Sequence, residues 1–217
     1  MSYDETRREI AEALIAIDGV GFKPGAPITF KSGIKSPVYC DNRRFPFWPQ
    51  QWTKVIRGFE QMIAEHGIAL DVVGGVEAAG IPHSAALGFA MQKPSVFIRK
   101  EPKEHGTKKR VEGGDVTGRR VVLVEDLVTT GGSSIAAIEA LRAEGAIVTD
   151  MLAIISYGFP DAVELFGHSG VRLHAATDFE TVLAVAKERG SLSDVEAAVV
   201  QDWLSEPRGW AKRQGIE

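Results

Sequence analysis

The sequence predicts an α/β fold, with a central parallel sheet covered on both faces by helices. Three observations point there. Short apolar runs recur at 70–76, 95–99, 120–124 and 146–155, and helical patterns separate them. Parallel strands need such crossovers, and strands buried on both faces read as continuous apolar runs. Finally, 217 residues, 44% of them hydrophobic, suit one medium-sized soluble domain with a substantial core.

Taken in order, residues 4–17 place Ile10, Ala13, Leu14 and Ile17 at helical spacing. The Gly/Pro-rich stretch 19–27 breaks regularity, and 28–39 reads as a short hairpin turning at Ser32-Gly33. Residues 50–65 form an amphipathic helix with Trp52, Ile56, Phe59 and Ile63 on one face. After strand 70–76 comes a Gly-rich turn. Pro82 then begins a helix where its missing N–H costs little. The 100–118 segment is polar and charged, without apolar period, and its length favours a functional lid over a connector. Strand 120–124 leads through 125–130 into a helix ending near Ala143. Residues 171–175 suggest an edge strand, and two C-terminal helices complete the chain. In such sheets ligands bind beyond the C-terminal strand ends, so function is expected in the loops after Val76, Arg99 and Val124.

Composition narrows the function classes. A net charge of -4 disfavours general attraction to nucleic acid or anionic membrane. Cys40 is the only cysteine, which excludes an intrachain disulfide and suits a free thiol in a reducing compartment. The charged N-terminus shows no signal-peptide pattern, and no apolar run approaches the ~20 residues of a membrane span. A cytoplasmic location is expected.

The strongest motif is VVLVEDLVTTGGSS at 121–134. Four apolar residues build a strand, two carboxylates sit at its tip, and a small-residue loop opens a helix. Such a loop presents several N–H groups to one phosphate, helped by the helix N-terminus and hydroxyls. Glu125 and Asp126 would repel a bare triphosphate but suit ribose hydroxyls, or Mg²⁺ bridging those to a pyrophosphate. Singly, each feature more often caps a helix than carries chemistry; together in this order they point to function. Neither a Walker A lysine nor a G-x-G-x-x-G accompanies the strand.

This segment resembles the phosphoribosyl-pyrophosphate (PRPP) signature of type I phosphoribosyltransferases. The resemblance implies a small hood near 1–45, a core near 46–180 and helices at 181–217. It implies that Asp126 and Glu125 hold the ribose hydroxyls, with Asp126 meeting Mg²⁺ through water or those hydroxyls. Leu127, Val128, Thr129, Thr130, Gly131, Gly132 and Ser133 would cradle PRPP at its 5-phosphate. The run RKEPKEHG at 99–106 resembles the lid loop of orotate phosphoribosyltransferases. Arg99, Lys100, Lys103 and His105 would close on the leaving pyrophosphate, with Arg99, Lys103 and Asp126 catalytic and Gly106 a candidate hinge. In that family the loop reaches the neighbouring subunit, which implies a homodimer. The run FKSGIKSPVYCDNR at 30–43 is similar to the family's base-covering hairpin. Lys31 would approach PRPP, while Tyr39, Cys40 and Thr129 would meet orotate.

Two departures stand out. Where many relatives carry Tyr-Lys in the pyrophosphate loop, this chain has Glu77-Ala78 or Ala78-Ala79, which shifts weight onto Arg99 and Lys103. Where some place an arginine after the strand near 147–155, this chain reads Ser156-Tyr157-Gly158. Recognition of the orotate carboxylate then falls to backbone amides, to Thr129 or to a basic residue such as Arg43. His83 reads as a helix-surface or packing residue. The expected activity is transfer of ribose 5-phosphate from PRPP to orotate. Two rivals share the PRPP signature: a purine-type phosphoribosyltransferase, and a PRPP-sensing regulator that binds nucleic acid. The lid, the hairpin and the acidic charge favour the orotate enzyme.

Overall fold

The computed structural model describes residues 2–30, 32–102 and 109–216. Helix α1 (Tyr3–Ala16) opens with a capping box in which Ser2 and Glu5 satisfy each other's backbone N–H groups. Strands β1 (Val20–Phe22), β2 (Ile28–Thr29), β3 (Lys35–Ser36) and β4 (Val38–Cys40) follow. The expected hairpin exists as β2 against β3, but β4 leaves it and pairs antiparallel with β1. Pro37 cannot continue the ladder, and the Ser36 hydroxyl turns the chain by accepting the Val38 N–H. The Gly/Pro-rich stretch therefore hides a strand.

A 3₁₀ turn at Asn42–Phe47 leads into α2 (Pro49–Glu65), which has Pro49 in its first turn. Next come β5 (Val72–Val76), α3 (Gly80–Ala90), β6 (Ser95–Ile98), β7 (Val111–Glu112) and β8 (Val121–Val128). Pro82 is thus the third residue of its helix rather than the first, still within the turn whose N–H groups lack helical partners. Strand β7 lies inside the segment expected to be all lid, and it pairs back onto β6. The chain continues through α4 (Gly132–Ala143), β9 (Asp150–Ser156), α5 (Pro160–Ser169), β10 (Arg172–Asp178), α6 (Phe179–Glu188), α7 (Asp194–Ser205) and α8 (Pro207–Arg213). Three helices, not two, close the chain, because Pro207 cannot extend α7 and starts α8 instead.

The main sheet has the order β10-β9-β8-β5-β6-β7, parallel except for β7. Along β8, Val122 and Val124 face a core built with α1, α2, α6 and α7; Val121 and Leu123 face a second one under α4 and α5. Burial on both faces explains the unbroken apolar run. Strand β10 lies at one edge, as expected. No helix among the described residues is long and apolar enough to cross a membrane.

His83 is a packing residue, fully buried between α2 and α3. Its Nδ1 accepts from the Trp52 indole N–H at 2.9 Å. Burial pulls its pKa from 6.5 down to about 4. The unfolded chain therefore takes up this proton first. Its contribution to stability is full above pH 6.5 and is lost as the pH falls toward 4. Between pH 7 and pH 5 the loss is about 2 kcal/mol. His83→Gln, which keeps an acceptor for Trp52, should flatten the pH dependence of unfolding by about that amount. Urea titrations at the two pH values check this, and an unchanged slope would refute it.

Candidate active site

Strand β8 carries the centre of the site. Its apolar half is fixed in the sheet, so the residues that follow are held at the sheet's C-terminal edge. Glu125 is buried and Asp126 half-buried, and the strand continues past both to Val128. Burial pushes the Glu125 pKa well up, and the charge on Asp126 adds to the effect. Burial raises Asp126 as well. A Glu125 oxygen accepts the Asp126 N–H at 3.3 Å. Asn42, fully buried, donates its Nδ2 to the Asp126 carbonyl at 2.9 Å. The segment after β4 is thereby tied to the tip of β8. Sequence reasoning gave Asn42 no role, since nothing in a Asp-Asn-Arg run discloses a contact 84 residues away.

Beyond the acids, Leu127 to Ser134 turn into α4. Gly131 has a φ of 80°, the left-handed region open to glycine, and a Cβ there would also press on the Phe166 ring. Leu127, Val128, Thr129, Thr130, Gly131, Gly132 and Ser133 all line a cavity of about 450 Å³. Ser134 lines it too, with a buried Oγ that has no protein partner. Phe30 and Ser32 close the cavity from the hairpin side. A larger cavity of about 620 Å³ lies between 32–35 and α8, but the glycine loop does not line it. Chemistry, not size, selects the site.

The facing wall is cationic. Arg99, Lys100 and Arg110 line the same cavity. Arg99 lies 3.7 Å from a Glu112 oxygen, and its Nε donates to the Glu101 carbonyl at 3.3 Å. Arg110, missed in the sequence, donates to the carbonyls of Arg99 at 2.8 Å and Ala136 at 3.0 Å. It joins the cationic wall to α4. Glu77 accepts the Lys100 N–H at 2.7 Å. The Glu77–Ala78 peptide is cis. At Gly80 a Cβ would run into the Val124 carbonyl, so the start of α3 lies directly on β8.

Among the described residues, several expected ones do not line the cavity, Glu125 and Asp126 among them: the acids stand just before the loop that does. Tyr39 is exposed at the end of the hairpin and donates its hydroxyl to Asp41 at 3.0 Å. The Cys40 thiol is pushed far up by burial and by the charges of Asp126 and Asp41, which keeps it neutral and unsuited to nucleophilic attack. Lys31, Lys103, His105 and the Gly106 hinge lie outside the described residues. Tyr157 is buried in an aromatic cluster, stacked on Phe159 at 5.3 Å.

The raised Glu125 pKa has a consequence for stability. A carboxyl whose folded pKa exceeds its unfolded one stabilises the fold below the unfolded pKa, and that contribution is lost as the pH rises through the folded pKa. Glu125→Gln should therefore melt at a higher temperature than the wild type at pH 8, with the gap closing by pH 4. Thermal melts at both pH values check this; a lower melting temperature at pH 8 would contradict it.

Comparison with known proteins converges on the same residues. The phosphoribosyl transferase domain family matches residues 48–156, which contain both acids and the glycine loop. Orotate phosphoribosyltransferase of Halalkalibacterium halodurans is 39% identical over 201 residues, covering 93% of this chain and 96% of that protein. The crystal structure of the Aeropyrum pernix orotate phosphoribosyltransferase matches with a TM-score of 0.72 at 29% identity, covering 85% of this chain and 99% of that one. That of the Mycobacterium tuberculosis orotate phosphoribosyltransferase in complex with PRPP matches with a TM-score of 0.63 at 25% identity, covering 82% and 98%. With two acids near the end of a central parallel strand, a glycine loop after it and relatives matched over nearly their whole length, the chain belongs to the orotate phosphoribosyltransferases, within the phosphoribosyl transferase family.

Proposed function

We propose that the chain transfers ribose 5-phosphate from PRPP to orotate, giving orotidine 5'-phosphate and pyrophosphate on the route to UMP. One observation carries this reading: the amide-rich loop that directly follows the paired acids forms one wall of a cavity whose other wall carries Arg99, Lys100 and Arg110. A sugar phosphate with a diphosphate leaving group has that same polarity. The 127–133 loop holds the 5-phosphate through peptide N–H groups and hydroxyls. Glu125 and Asp126 accept hydrogen bonds from the ribose 2- and 3-hydroxyls. Arg99 and Lys100 lie on the side where pyrophosphate departs.

A ring nitrogen of orotate attacks C1 of the ribose while the C1–O bond to pyrophosphate breaks, and the proton on that nitrogen passes to a departing pyrophosphate oxygen, directly or through water. The leaving pyrophosphate can take that proton, so no strong protein base is needed. Catalysis rests on positioning and on cations that neutralise charge growing on the leaving group. Lys103 and His105 serve there from the lid, reaching the site of the partner in a homodimer, while Lys31 approaches PRPP; the motifs support these roles. The acids fit Mg²⁺ as well. Two adjacent carboxylates, one buried and one half-buried, both with raised pKa values, favour a nearby cation, and no cluster of three or more ligating side chains occurs among the described residues. Asp126, with Glu125, would hold Mg²⁺ through water or ribose hydroxyls. When bound, Mg²⁺ supplies charge neutralisation for the pyrophosphate. We assign the protein to the cytoplasm, where a single thiol stays reduced.

Following the loss of orotate absorbance with PRPP and Mg²⁺ tests the activity, and a panel of other bases tests the specificity. Turnover of adenine or xanthine but not orotate would refute the reading. Lys103→Ala should lower kcat about 100-fold or more with a much smaller change in PRPP affinity, because its contact tightens as charge develops. Wild-type turnover in that variant would remove Lys103 from the mechanism. Asp126→Asn should weaken PRPP binding in the presence of Mg²⁺. Calorimetry measures this, and unchanged affinity would count against the ribose contact.

A further inference from the structure

We propose, resting on the orotate reading above, that Arg43 is the cation that pairs with the orotate carboxylate and so separates orotate from uncharged pyrimidines. Orotate differs from uracil by a ring carboxylate, a charge that a selective site must pair or leave in water. The strand beside β8 offers no such group. After β9 the chain continues with Tyr157 and Gly158, and Tyr157 is packed edge-on to Trp203 at 5.2 Å and tilted against Phe30 at 5.8 Å. On the far wall Arg99 is close to Glu112, and Arg110 is spent on two backbone carbonyls.

Arg43 is placed differently. It follows Tyr39 and Cys40 in the chain and is adjacent to Asn42, whose bond to the Asp126 carbonyl pins this corner to the tip of β8. Its charge acts on the Asp126 carboxylate. Asp41 orients it: one oxygen accepts the Arg43 Nε–H at 2.6 Å and backbone N–H at 3.2 Å, and the other accepts the Tyr39 hydroxyl at 3.0 Å. The contact to Asp41 uses Nε, whereas the terminal nitrogens carry the fork of N–H groups that a carboxylate accepts in pairs. The side chain is 64% exposed, so a ligand can reach it. Asp41 offsets part of the charge, yet it also fixes the fork, so less rotamer entropy is lost on binding. Thr129 and the loop amides can add hydrogen bonds, but they bring no charge to match the carboxylate.

The test compares wild type, Arg43→Gln and Arg43→Lys at saturating PRPP and Mg²⁺. Wild-type turnover of orotate comes first: without it, the orotate reading fails and this assignment with it. Given that turnover, Arg43→Gln should lower kcat/KM for orotate about 10- to 100-fold. PRPP affinity by calorimetry should stay within about twofold, which also reports an intact fold, and inhibition by uracil should not change. Arg43→Lys should recover part of the loss. Unchanged kcat/KM for orotate in Arg43→Gln overturns the assignment and leaves the orotate reading standing. Equal losses for orotate and PRPP also overturn it, because Arg43 would then serve the phosphate end or the fold.

Discussion

Two neighbouring carboxylates held at the buried end of a central strand set the terms for the rest of this structure. Ionised acids so placed repel each other and lack the water that would stabilise them, hence the raised pKa values of Glu125 and Asp126. A fold keeps such a pair only where surrounding elements over-determine it. Here β8 is hydrogen-bonded to β5 and β9, α3 lies against it at Gly80, and Asn42 holds the Asp126 carbonyl from outside the sheet. The same desolvation that costs stability makes the pair a strong acceptor for hydroxyls and a strong neighbour for a cation.

The opposite wall is built on another principle. Arg99 and Lys100 follow a short strand near the sheet's edge, and their footing is a set of individual bonds: Glu77 to the Lys100 backbone, Arg110 to the Arg99 carbonyl, β7 to β6. One wall thus rises from the centre of the sheet, and the other from its edge, where polar contacts add to the strand pairing.

Much of this was legible in the sequence because strands buried on both faces need no partner information to be recognised. The run Val121 to Val124 reads as a central strand wherever it pairs, and the Thr-Gly-Gly turn after it reads as a helix start. What escaped depends on distant partners. Strand β1 has only three residues in a Gly/Pro-rich stretch and exists because Val20 meets Cys40. Strand β7 has two residues and no apolar period of its own; it is a strand because Phe97 and Ile98 are opposite. Asn42 and Arg110 sit in polar runs where any side chain could face solvent, and only the folded chain shows which one turns inward. The number of C-terminal helices was readable, since Pro207 interrupts an otherwise continuous pattern.

The departures from the family's usual residues gain a physical sense from the same contacts. An acid at Glu77, in a loop expected to meet pyrophosphate, would by itself add repulsion to a site that must bind negative charge. Its carboxylate is instead occupied by the Lys100 N–H, so it anchors the cationic wall. At the other end of the site, Ser156-Tyr157-Gly158 puts an aromatic ring where a charge would otherwise stand, and Tyr157 joins Phe159, Phe179 and Trp203 in one cluster. That cluster ties the end of β9 to α6 and α7, which gives the C-terminal helices a structural reason to be there. The bond from Asn42 to the Asp126 carbonyl ties the corner that carries Arg43, the cation proposed for that end of the site, to the tip of β8.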